Sequence, residues 1–539
     1  MTDVDVLVVG AGPVGLTVAG ELRRRGLACR IIDRLEAPAG IAKAVGIQPR
    51  TLEVWEATGV LADALDASTP MLGQKVFVNG QETSEMRMDL PPSVPFEFVS
   101  LPQYETKRIL TEHLARMDTS IERGVELTSF DPDSKGVSAE LVGPGGQETV
   151  RAQFLVGCDG AHSATRKSLG VEFAGDAFPD EYMLGDVEVD WSMPAGFAIR
   201  AMHQTNGQVD DALVCIPLPG HNRYRMSMLV PPELATKPPA EGEVAHGMEA
   251  ARIPELEHIQ AVLDRLAPQA TRASNLRWSS LFRISHRIVD RYGDGRVFLA
   301  GDAAHIHPPT GAQGMNTGIQ DAYNLGWKLG LTLQGVAIDG LLDTYNAERH
   351  PVGEEVVGRT VRHARAGFEA DPDDPSTVVL REAQLLVGYP DSPLVGDDVE
   401  GTQLAEGPRP GQRAPDCRGL RRRSVAFPVR LFELLRGGEH TLLLYAEGEE
   451  QAAGFSKLAT EATERAARHL HTYVVLAAGV DPAQVLLPTV QDVAGEFRSA
   501  YDATGGCGYL IRPDGYVGYR AGKITSPNLL AHLGKTFAG

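Results

Sequence analysis

A strand, a glycine-rich turn, a helix and a second strand are predicted by residues 4–33, VDVLVVGAGPVGLTVAGELRRRGLACRIID. Gly10 permits the tight turn, Gly12 lets a pyrophosphate approach the backbone, and Gly15 lets the helix pack against the strand. The free N–H groups at the start of the helix attract phosphate. Asp33 ends the second strand, where a carboxylate can accept a hydrogen bond from a ribose hydroxyl. The stretch predicts a Rossmann-like dinucleotide site, and alone it does not distinguish FAD from NAD.

Two later strands are predicted to end on an aspartate in the same manner. Residues 154–158, FLVGC, precede Asp159, and residues 296–300, RVFLA, lead through a glycine to Asp302. A carboxylate at the end of a buried parallel strand faces the crevice in which open α/β sheets bind ligands. A turn-forming role is the alternative for each aspartate taken alone. Together with Asp33 they predict one crevice that serves three parts of an extended ligand.

The composition is that of a globular protein with several domains. At 539 residues the chain is too long for a single hydrophobic core. Hydrophobic residues make up 43% and charged residues 23% of the chain, values that are typical of globular proteins. The formal net charge of −20 argues against a nucleic-acid partner and against binding to an anionic membrane surface.

The cysteines and the apolar runs bear on the compartment. Five scattered cysteines without CxxC spacing are typical of a reducing compartment and provide no disulfide or zinc framework. The first apolar run is short and follows Asp3 and Asp5, so we expect no signal peptide. No apolar run approaches the roughly 18 residues of a membrane span. We therefore expect a cytoplasmic protein with no membrane partner, and the sequence leaves open whether it forms a homo-oligomer.

Changes in composition along the chain predict three domains and a linker. The insert has proline-rich loops and strands of partly alternating hydrophobicity, which predict an α+β layer over the first domain. The linker is rich in Asp, Pro and Gly, and the C-terminal part alternates strands with a helix. The predicted parts are a dinucleotide-binding domain of residues 1–70, 101–175 and 283–370, an insert of residues 71–100 and 176–282, a linker of residues 371–412 and a C-terminal domain of residues 413–539.

The motifs together resemble a known family. GAGPVG at 10–15, CDGAHS at 158–163 and GDAAH at 301–305 occur in the order seen in the group A flavoprotein aromatic hydroxylases. The loop PPTGAQGMN at 308–316 is similar to the flavin-ring loop of that family. The resemblance implies the fold of para-hydroxybenzoate hydroxylase, an α/β fold in which a Rossmann-like FAD-binding domain carries an α+β substrate-domain insert. RPDGY at 512–516 resembles the phenol-hydroxylase and polyketide-hydroxylase branch, which implies a C-terminal thioredoxin-like domain, here lacking CxxC.

The resemblance implies a set of cofactor-binding residues. The glycines of the first turn hold the FAD pyrophosphate, and Asp33 holds the adenosine ribose. Arg50 and Gln103 match positions that contact FAD phosphate or ribityl groups. Asp302 reaches the ribityl chain, and Asp159 belongs to a motif implicated in both FAD and NAD(P)H binding. The whole expected set is Gly10, Gly12, Gly15, Asp33, Arg34, Lys43, Arg50, Gln103, Asp159, Asp302, Pro309, Gly311, Gly314, Met315 and Asn316.

The start of the long helix predicted from about Met315 has a role that can also be argued physically. The resemblance implies that Gly314, Met315 and Asn316 place backbone N–H groups at the flavin pyrimidine edge. The positive end of the helix would then face N1 and O2 of the ring. Oriented N–H groups stabilise the negative charge of reduced flavin at that edge. Lys43 is a departure from the family, because many relatives have an arginine there and lysine lacks its planar fork.

The resemblance implies the chemistry of an aromatic hydroxylase. NAD(P)H, either NADPH or NADH, reduces FAD, O₂ adds at C4a, and the resulting C4a-hydroperoxyflavin transfers one oxygen to an aromatic ring. The expected substrate is a phenolic, polyketide or hydroxy-heteroaromatic small molecule. The alternatives are a Baeyer–Villiger monooxygenase on the same scaffold and a non-enzymatic flavin-binding sensor. The sequence identifies no second dinucleotide fingerprint for NAD(P)H.

The sequence identifies no catalytic acid or base. His203, Tyr224 and Arg225 lie in the insert and are candidates for the pocket, with surface or packing roles as the alternative. His305 and His307 beside the third strand end have the spacing of a metal pair. No third ligand cluster accompanies them and the flavin loop accounts for the segment, so we expect no metal.

Overall fold

The computed structural model of the chain describes residues 3–38, 40, 43–236, 244, 247–249, 253–366, 374–398, 404, 406–481 and 485–539. The strands are, in chain order, β1 Val4–Val9, β2 Cys29–Asp33, β3 Gly46–Ile47, β4 Thr69–Pro70, β5 Gly73–Val78, β6 Gln81–Arg87, β7 Val99–Ser100, β8 Ile121–Arg123, β9 Glu126–Asp133, β10 Gly136–Gly143, β11 Gly146–Gly157, β12 Phe173–Val189, β13 Phe197–Thr205, β14 Gln208–Pro217, β15 Arg223–Leu229, β16 Gly247–Glu249, β17 Ala273–Val289, β18 Gly293–Asp294, β19 Val297–Leu299, β20 His305–Ile306, β21 Gly396–Asp398, β22 Leu420–Arg421, β23 His440–Ala446, β24 Leu470–Ala477, β25 Thr489–Asp492, β26 Gly508–Ile511 and β27 Val517–Ala521.

The helices lie between and around these strands. They are α1 Pro13–Arg23, α2 Pro49–Thr58, α3 Leu61–Asp66, α4 Gln103–Ala115, α5 Ala164–Leu169, α6 Leu256–Leu266, α7 Gln313–Leu333, α8 Asp343–Ala366, α9 Pro375–Glu382, α10 Leu431–Leu434, α11 Glu449–Arg465, α12 Glu496–Ala500 and α13 Ser526–Leu533. Short 3₁₀ turns occur at Gly301–Ala303 and Thr310–Ala312. Among the described residues, no helix combines the length and the apolar character that crossing a membrane requires.

The first domain is built on a parallel sheet with the order β19-β11-β1-β2-β8. The strands β1 and β2 are parallel neighbours joined by α1, which confirms the Rossmann-like unit predicted from the first residues. Val6, Val8 and Ile31 of these strands are fully buried together with Leu16 and Val18 of α1. Apolar residues on the inner faces of strand and helix therefore hold the glycine turn in place.

The insert forms a second, mostly antiparallel sheet with the order β16-β17-β12-β15-β14-β13-β5-β6. One face of this sheet packs on α6, where Ile259, Val262 and Leu263 contact Met183 and Met226 in a common core. The sheet is also bound to the first domain, because β17 pairs with β20, the strand that leads into the loop before α7. The strands β12 to β17 extend from residue 173 to residue 289, whereas the second segment of the insert was expected at 176–282.

The C-terminal part has a sheet with the order β21-β27-β26-β23-β24-β25-β22. The strands β23 and β24 are parallel and flank α11, while β26 and β27 are antiparallel. The linker expected at 371–412 lies partly outside the described residues, and its described part, 374–398, 404 and 406–412, contains two elements. The strand β21 belongs to this sheet, and α9 packs against the start of α7 through Glu382. Tertiary contacts that the polar composition did not reveal hold both elements.

Candidate functional site

The glycine turn has one open side and two closed sides. Gly10 has φ +102°, and a Cβ atom there would lie 2.4 Å from the Cys158 carbonyl oxygen. A Cβ atom on Gly15 would lie 1.9 Å from the Gly10 carbonyl oxygen. A Cβ atom on Gly12 would meet nothing within 4 Å. Gly12 is also the N-cap of α1 and gives the first turn no side-chain hydrogen bond. The turn therefore fits a pyrophosphate that approaches Gly12 and the free N–H groups of α1.

The three predicted strand ends lie side by side. The strands β19, β11, β1 and β2 are parallel neighbours, so the residues that follow them share the carboxyl edge of one sheet. Asp33 accepts hydrogen bonds from the backbone N–H groups of Ala11 at 3.0 Å and Leu35 at 2.9 Å. An ionised carboxylate offers about four acceptor sites, so Asp33 retains capacity for a ribose hydroxyl. Arg34 is exposed beside it.

Asp159 and Asp302 have different surroundings at this edge. The Asp159 carboxylate accepts hydrogen bonds from the Ser163 hydroxyl at 2.5 Å and from the Thr165 N–H at 3.0 Å. It thus supports the start of α5, which is the turn-forming role that the sequence left as the alternative. Asp302 lies half-buried in the 3₁₀ turn after β19.

The loop before α7 is joined to residues 46–48. Asn316 accepts a hydrogen bond from the Gln48 N–H at 3.0 Å, and its amide donates to the Gly46 carbonyl at 3.0 Å. The Gln48 side chain donates to the Gly311 carbonyl at 2.5 Å. The Asn316 side chain is therefore structural, and only its backbone can serve a ligand. Sequence reasoning missed Gln48, which carries no motif of its own.

The first turn of α7 fits an electron-rich ligand edge. Its N-cap residue, Ala312, has φ +55° and forms no side-chain hydrogen bond to the helix. The N–H groups of Gly314 and Met315 stand in this first turn, at the positive end of a helix of 21 residues. Pro309 and Gly311 shape the 3₁₀ turn directly before it. This arrangement fits the pyrimidine edge of a flavin.

Gln103 and Lys43 meet at a second loop. The Gln103 side-chain oxygen accepts hydrogen bonds from the backbone N–H groups of Lys43 at 2.9 Å and Ala44 at 3.3 Å. Gln103 therefore fixes the backbone of this loop. The Lys43 side chain is exposed, and its carbonyl accepts a hydrogen bond from Arg225 of the insert at 3.4 Å.

Arg50 lies in the first turn of α2 and contacts the C-terminal domain. Its guanidinium pairs with Glu53 at 2.8 Å and donates to the Asp514 carbonyl at 2.6 Å. It also stacks over the Tyr516 ring at 4.9 Å. The side chain is 3% exposed, and these partners lie at the junction with the C-terminal domain. Both Nη atoms of Arg50 are thus bound at the domain junction, its Nε atom has no hydrogen-bond partner among the described residues, and the FAD contact implied by the resemblance stays a prediction.

The three insert candidates have different surroundings, with Tyr224 and Arg225 on β15 and His203 on β13. Arg225 forms a buried ion pair with Asp186 at 2.5 Å, and the Trp278 indole N–H donates to the same carboxylate at 2.8 Å. Neighbouring residues on a strand point to opposite faces. Tyr224 accordingly packs in the core of the insert against Trp191. His203 is half-exposed and pairs with Asp210 at 2.6 Å, so only Arg225 of the three candidates faces the 43–44 loop.

The sequence profile of the FAD-binding domain family matches residues 3–360. The chain belongs to this family. A flavin-dependent monooxygenase from Mycobacteroides abscessus is 33% identical over 528 residues, covering 95% of this chain and 96% of the relative. The 6-methylpretetramide 4-monooxygenase of Streptomyces rimosus is 33% identical, covering 98% and 92%. A ternary complex of aklavinone-11 hydroxylase with FAD and aklavinone superposes with a TM-score of 0.78 at 25% identity, covering 99% of both chains.

These relatives confirm the family predicted from the motifs. The chain is an FAD-dependent aromatic monooxygenase, and FAD is its cofactor. The residues expected to bind that cofactor fit it, because Gly12 has an open side, Asp33 keeps acceptor capacity and the first turn of α7 has no side-chain cap.

Asp321 is a residue of this FAD-dependent monooxygenase that sequence reasoning missed. Its carboxylate binds the His305 imidazole at 2.8 Å, the Arg349 guanidinium at 2.7 Å and the Gly301 N–H at 3.1 Å. Burial opposes its charge, but Arg349 and His305 hold the pKa of Asp321 below its ordinary value. Asp321 thereby anchors the turn of Asp302 to α7. The signal available in the sequence was one acid in a helix otherwise poor in charge.

His305 and His307 have separate environments. His305 is committed to Asp321, and its ring stacks on Tyr292 at 5.8 Å. Burial, followed by the neighbouring His305, lowers the pKa of His307 to about 4. His307 is therefore a neutral imidazole at neutral pH, and its Nδ1 atom lies 3.0 Å from the Pro308 carbonyl.

Proposed function

We propose that this FAD-dependent monooxygenase uses NAD(P)H and O₂ to hydroxylate a phenolic aromatic compound of the polyketide type. The observation that carries the proposal is the attachment of the insert sheet to the two loops that are expected to face the flavin. That sheet is bonded to β20 directly before the α7 loop, and Arg225 joins it to the 43–44 loop. A substrate between this sheet and the start of α7 would lie beside the flavin ring. The names of the 6-methylpretetramide and aklavinone enzymes support the substrate class.

Each part of the crevice has a proposed task. The chemistry that bound FAD supplies is hydride acceptance from NAD(P)H and activation of O₂. Gly10, Gly12 and Gly15 give the pyrophosphate access to the N-terminus of α1, and Asp33 orients the adenosine ribose. The N–H groups of the α7 first turn stabilise negative charge at the pyrimidine edge. The insert sheet, with Trp278 over Arg225 at 4.6 Å, shields the reacting centre from water.

The remaining residues expected at the site have proposed roles that follow from their contacts. Asp302 remains proposed for the ribityl chain because Asp321 fixes its turn at the crevice edge. Gln103 and Lys43 are proposed to shape the loop beside the ring through their backbone contacts. For Asp159 we propose a supporting role through α5.

The alternatives left open by the sequence receive no support from the relatives. The relatives described above carry the names of monooxygenases and a hydroxylase, which favours hydroxylation over a Baeyer–Villiger oxidation and over a flavin-binding sensor. A sensor would bind FAD and fail to oxidise NAD(P)H, so the two classes are separable by one assay.

We also propose that residues 413–539 form a thioredoxin-like domain with a structural role. The order β23, α11, β24, followed by the antiparallel β26 and β27 and then α13, supports that topology. Redox chemistry of the thioredoxin kind needs a thiol of low pKa. Burial instead raises the pKa of Cys507 to about 12, and it raises that of Cys417 as well. We place the enzyme in the cytoplasm, where NAD(P)H is available.

The test is NAD(P)H oxidation by the purified holoenzyme under air with a panel of phenols and fused-ring polyketides. The expected result is oxidation stimulated by one substrate class, with a product that has gained one oxygen atom from isotope-labelled O₂. Stimulated oxidation with a ring-expanded lactone product would favour the Baeyer–Villiger alternative. A protein that binds FAD but oxidises neither NADH nor NADPH would overturn the proposed function.

A further inference from the structure

The end of α9 contacts the loop that precedes α7. Glu382, the last residue of α9, accepts a hydrogen bond from the Gln313 side-chain amide at 2.9 Å through its carboxylate and at 3.1 Å through its backbone carbonyl. The same carboxylate forms an ion pair with Arg359 of α8. The Glu382 side chain is 13% exposed, so this charge lies largely inside the protein. The contact with Gln313 joins a segment predicted to be a linker to the start of α7, and the contact with Arg359 joins it to α8.

The carboxylate of Glu382 and Gly311 fill one space between them. A Cβ atom on Gly311 would lie 1.9 Å from Glu382 Oε2. Gly311 has φ +70° and the next residue, Ala312, has φ +55°, so two successive residues adopt the left-handed conformation. Such a conformation is unfavourable for alanine and needs support from its surroundings. Glu382 provides that support at the side of the loop where a side chain would otherwise stand.

A second residue of the same segment holds the opposite end of the Gln313 amide. The Gln384 side chain donates to Gln313 Oε1 at 2.8 Å and to the Thr317 hydroxyl at 2.9 Å. Gln384 itself has φ +59° and is 1% exposed. The Gln313 side chain is thus bound at both its nitrogen and its oxygen by residues 382–384. The position of the first α7 residue is therefore fixed from this side.

We propose that Glu382 is a positioning residue for the flavin, which sets the conformation of residues 310–313 and hence the direction of the first N–H groups of α7. The inference rests on the FAD-dependent function. If the loop relaxed, the N–H groups of Gly314 and Met315 would lose their alignment with the flavin pyrimidine edge. Both the affinity for FAD and the stabilisation of its reduced, anionic form would then fall.

The charges around Glu382 make its influence dependent on pH. Arg359 contacts it directly, Glu355 binds the other side of Arg359 at 2.9 Å, and His363 Nδ1 lies 3.9 Å from Glu382 Oε1. From α7 it meets the neutral amide of Gln313. Burial raises the pKa of Glu382 to about 7, against the opposing effect of Arg359. Protonation near neutral pH would weaken the bonds to Arg359 and Gln313 and loosen the loop.

The experiment compares E382Q, E382A and the matched control E355Q. Glu355 also pairs with Arg359 but is 50% exposed and does not contact the loop. FAD is removed from each variant, and the dissociation constant of added FAD is then measured by flavin fluorescence. The measurements run from about pH 6 to about pH 8, a range that includes the raised pKa of Glu382. The midpoint potential of the bound flavin is measured in parallel, and thermal unfolding of each apoprotein reports whether it is folded.

The expected result is a loss of affinity confined to the Glu382 variants. E382Q should bind FAD about tenfold more weakly than the wild type at the high end of this range, the effect of losing one charge-assisted hydrogen bond. At the low end the two should be equal, because the wild-type carboxyl is then protonated too. The midpoint potential of E382Q should be more negative. The affinity of E355Q should match the wild type within about twofold, because Glu355 is 50% exposed and solvent screens its charge.

Two results would contradict the inference while leaving the function intact. In the first, the wild-type protein binds FAD and E382Q has the same affinity for FAD and the same midpoint potential. The other is an equal loss in E382Q and E355Q. A wild-type chain that binds no FAD would overturn the function and the inference together. E382Q keeps the volume of the side chain, so it decides the question even if E382A fails to fold.

Discussion

Replacing Arg512 by methionine is expected to destabilise the junction between the C-terminal domain and the FAD-binding domain. Arg512 donates to both oxygens of Glu348 at 2.6 and 2.8 Å and binds Asp514 at 2.6 Å. Lys328 binds Glu348 at 2.7 Å. These four side chains are at most 2% exposed. Their two positive and two negative charges cancel, so the network is neutral as long as all four are present.

The size of the effect follows from the charge left behind. In R512M one positive group, Lys328, faces two buried carboxylates, which leaves a net charge of −1. Removing one partner of a buried ion pair costs about 3–5 kcal/mol. Adding Asp514→Asn removes the excess charge, while the amide oxygen can still accept from Trp327 and Asn324, which now bind Asp514 at 3.1 Å each. The double variant should recover about half of the loss, roughly 2 kcal/mol.

The assay is urea unfolding monitored through tryptophan fluorescence, because the Trp327 indole is part of the network. A chain of several domains need not unfold in one step, so the free energy is compared for the transition that Trp327 reports. R498M is the control, because Arg498 and its partner Glu447 are 63% and 45% exposed and the pair should contribute less than about 1 kcal/mol. A free energy of unfolding for R512M within about 1 kcal/mol of the wild type would refute the role of the buried network, and so would a further loss when Asp514→Asn is added.

Three further predictions concern the glycine turn, the second strand end and α9. G12A should leave the unfolding midpoint unchanged but weaken FAD binding, because its Cβ enters the open space proposed for phosphate. G15A should lower both the unfolding midpoint and the affinity for FAD, because its Cβ overlaps the Gly10 carbonyl. Equal behaviour of the two variants would contradict this. D159A should lower the free energy of unfolding by about 1–2 kcal/mol through loss of support for α5, as measured by urea unfolding, and a neutral result would refute it. Because the pKa of Glu382 rises from 4.5 to about 7 on folding, the native state binds the extra proton, and the stability of the apoprotein should fall as pH increases between these values; E382Q should remove that fall in thermal unfolding, and an unchanged pH profile would count against it.

Local motifs account for the part of the site that the sequence predicted. The glycine turn, the strand ends at Asp33, Asp159 and Asp302, and the start of α7 are each encoded within a few consecutive residues. Their conformations depend on glycine's freedom at positive φ and on strand and helix patterning, which act locally. The sequence also predicted that the three strand ends lie at one edge of the sheet, because parallel strands place their carboxyl ends along the same edge.

The partners of buried charges could not be predicted in this way. The resemblance implied a cofactor contact for Arg50, and it did not reveal that one of its donors binds a carbonyl at residue 514. The segment around Glu382 had the composition of a linker, yet its carboxylate meets Gln313 across 69 positions of sequence. A buried charge takes the nearest partner that compensates its desolvation, whatever the separation along the chain.

The sequence by itself determined the Rossmann-like unit and, through its motifs, the family and the FAD cofactor. These depend on backbone conformations that short stretches of residues impose. The tertiary structure alone decided which side chains hold those stretches in position, namely Asp321 at the Asp302 turn, Gln48 and Glu382 at the α7 loop, and Arg512 at the domain junction. Their roles arise from burial and charge pairing between distant segments, and the chain acquires those contacts only when its layers pack together.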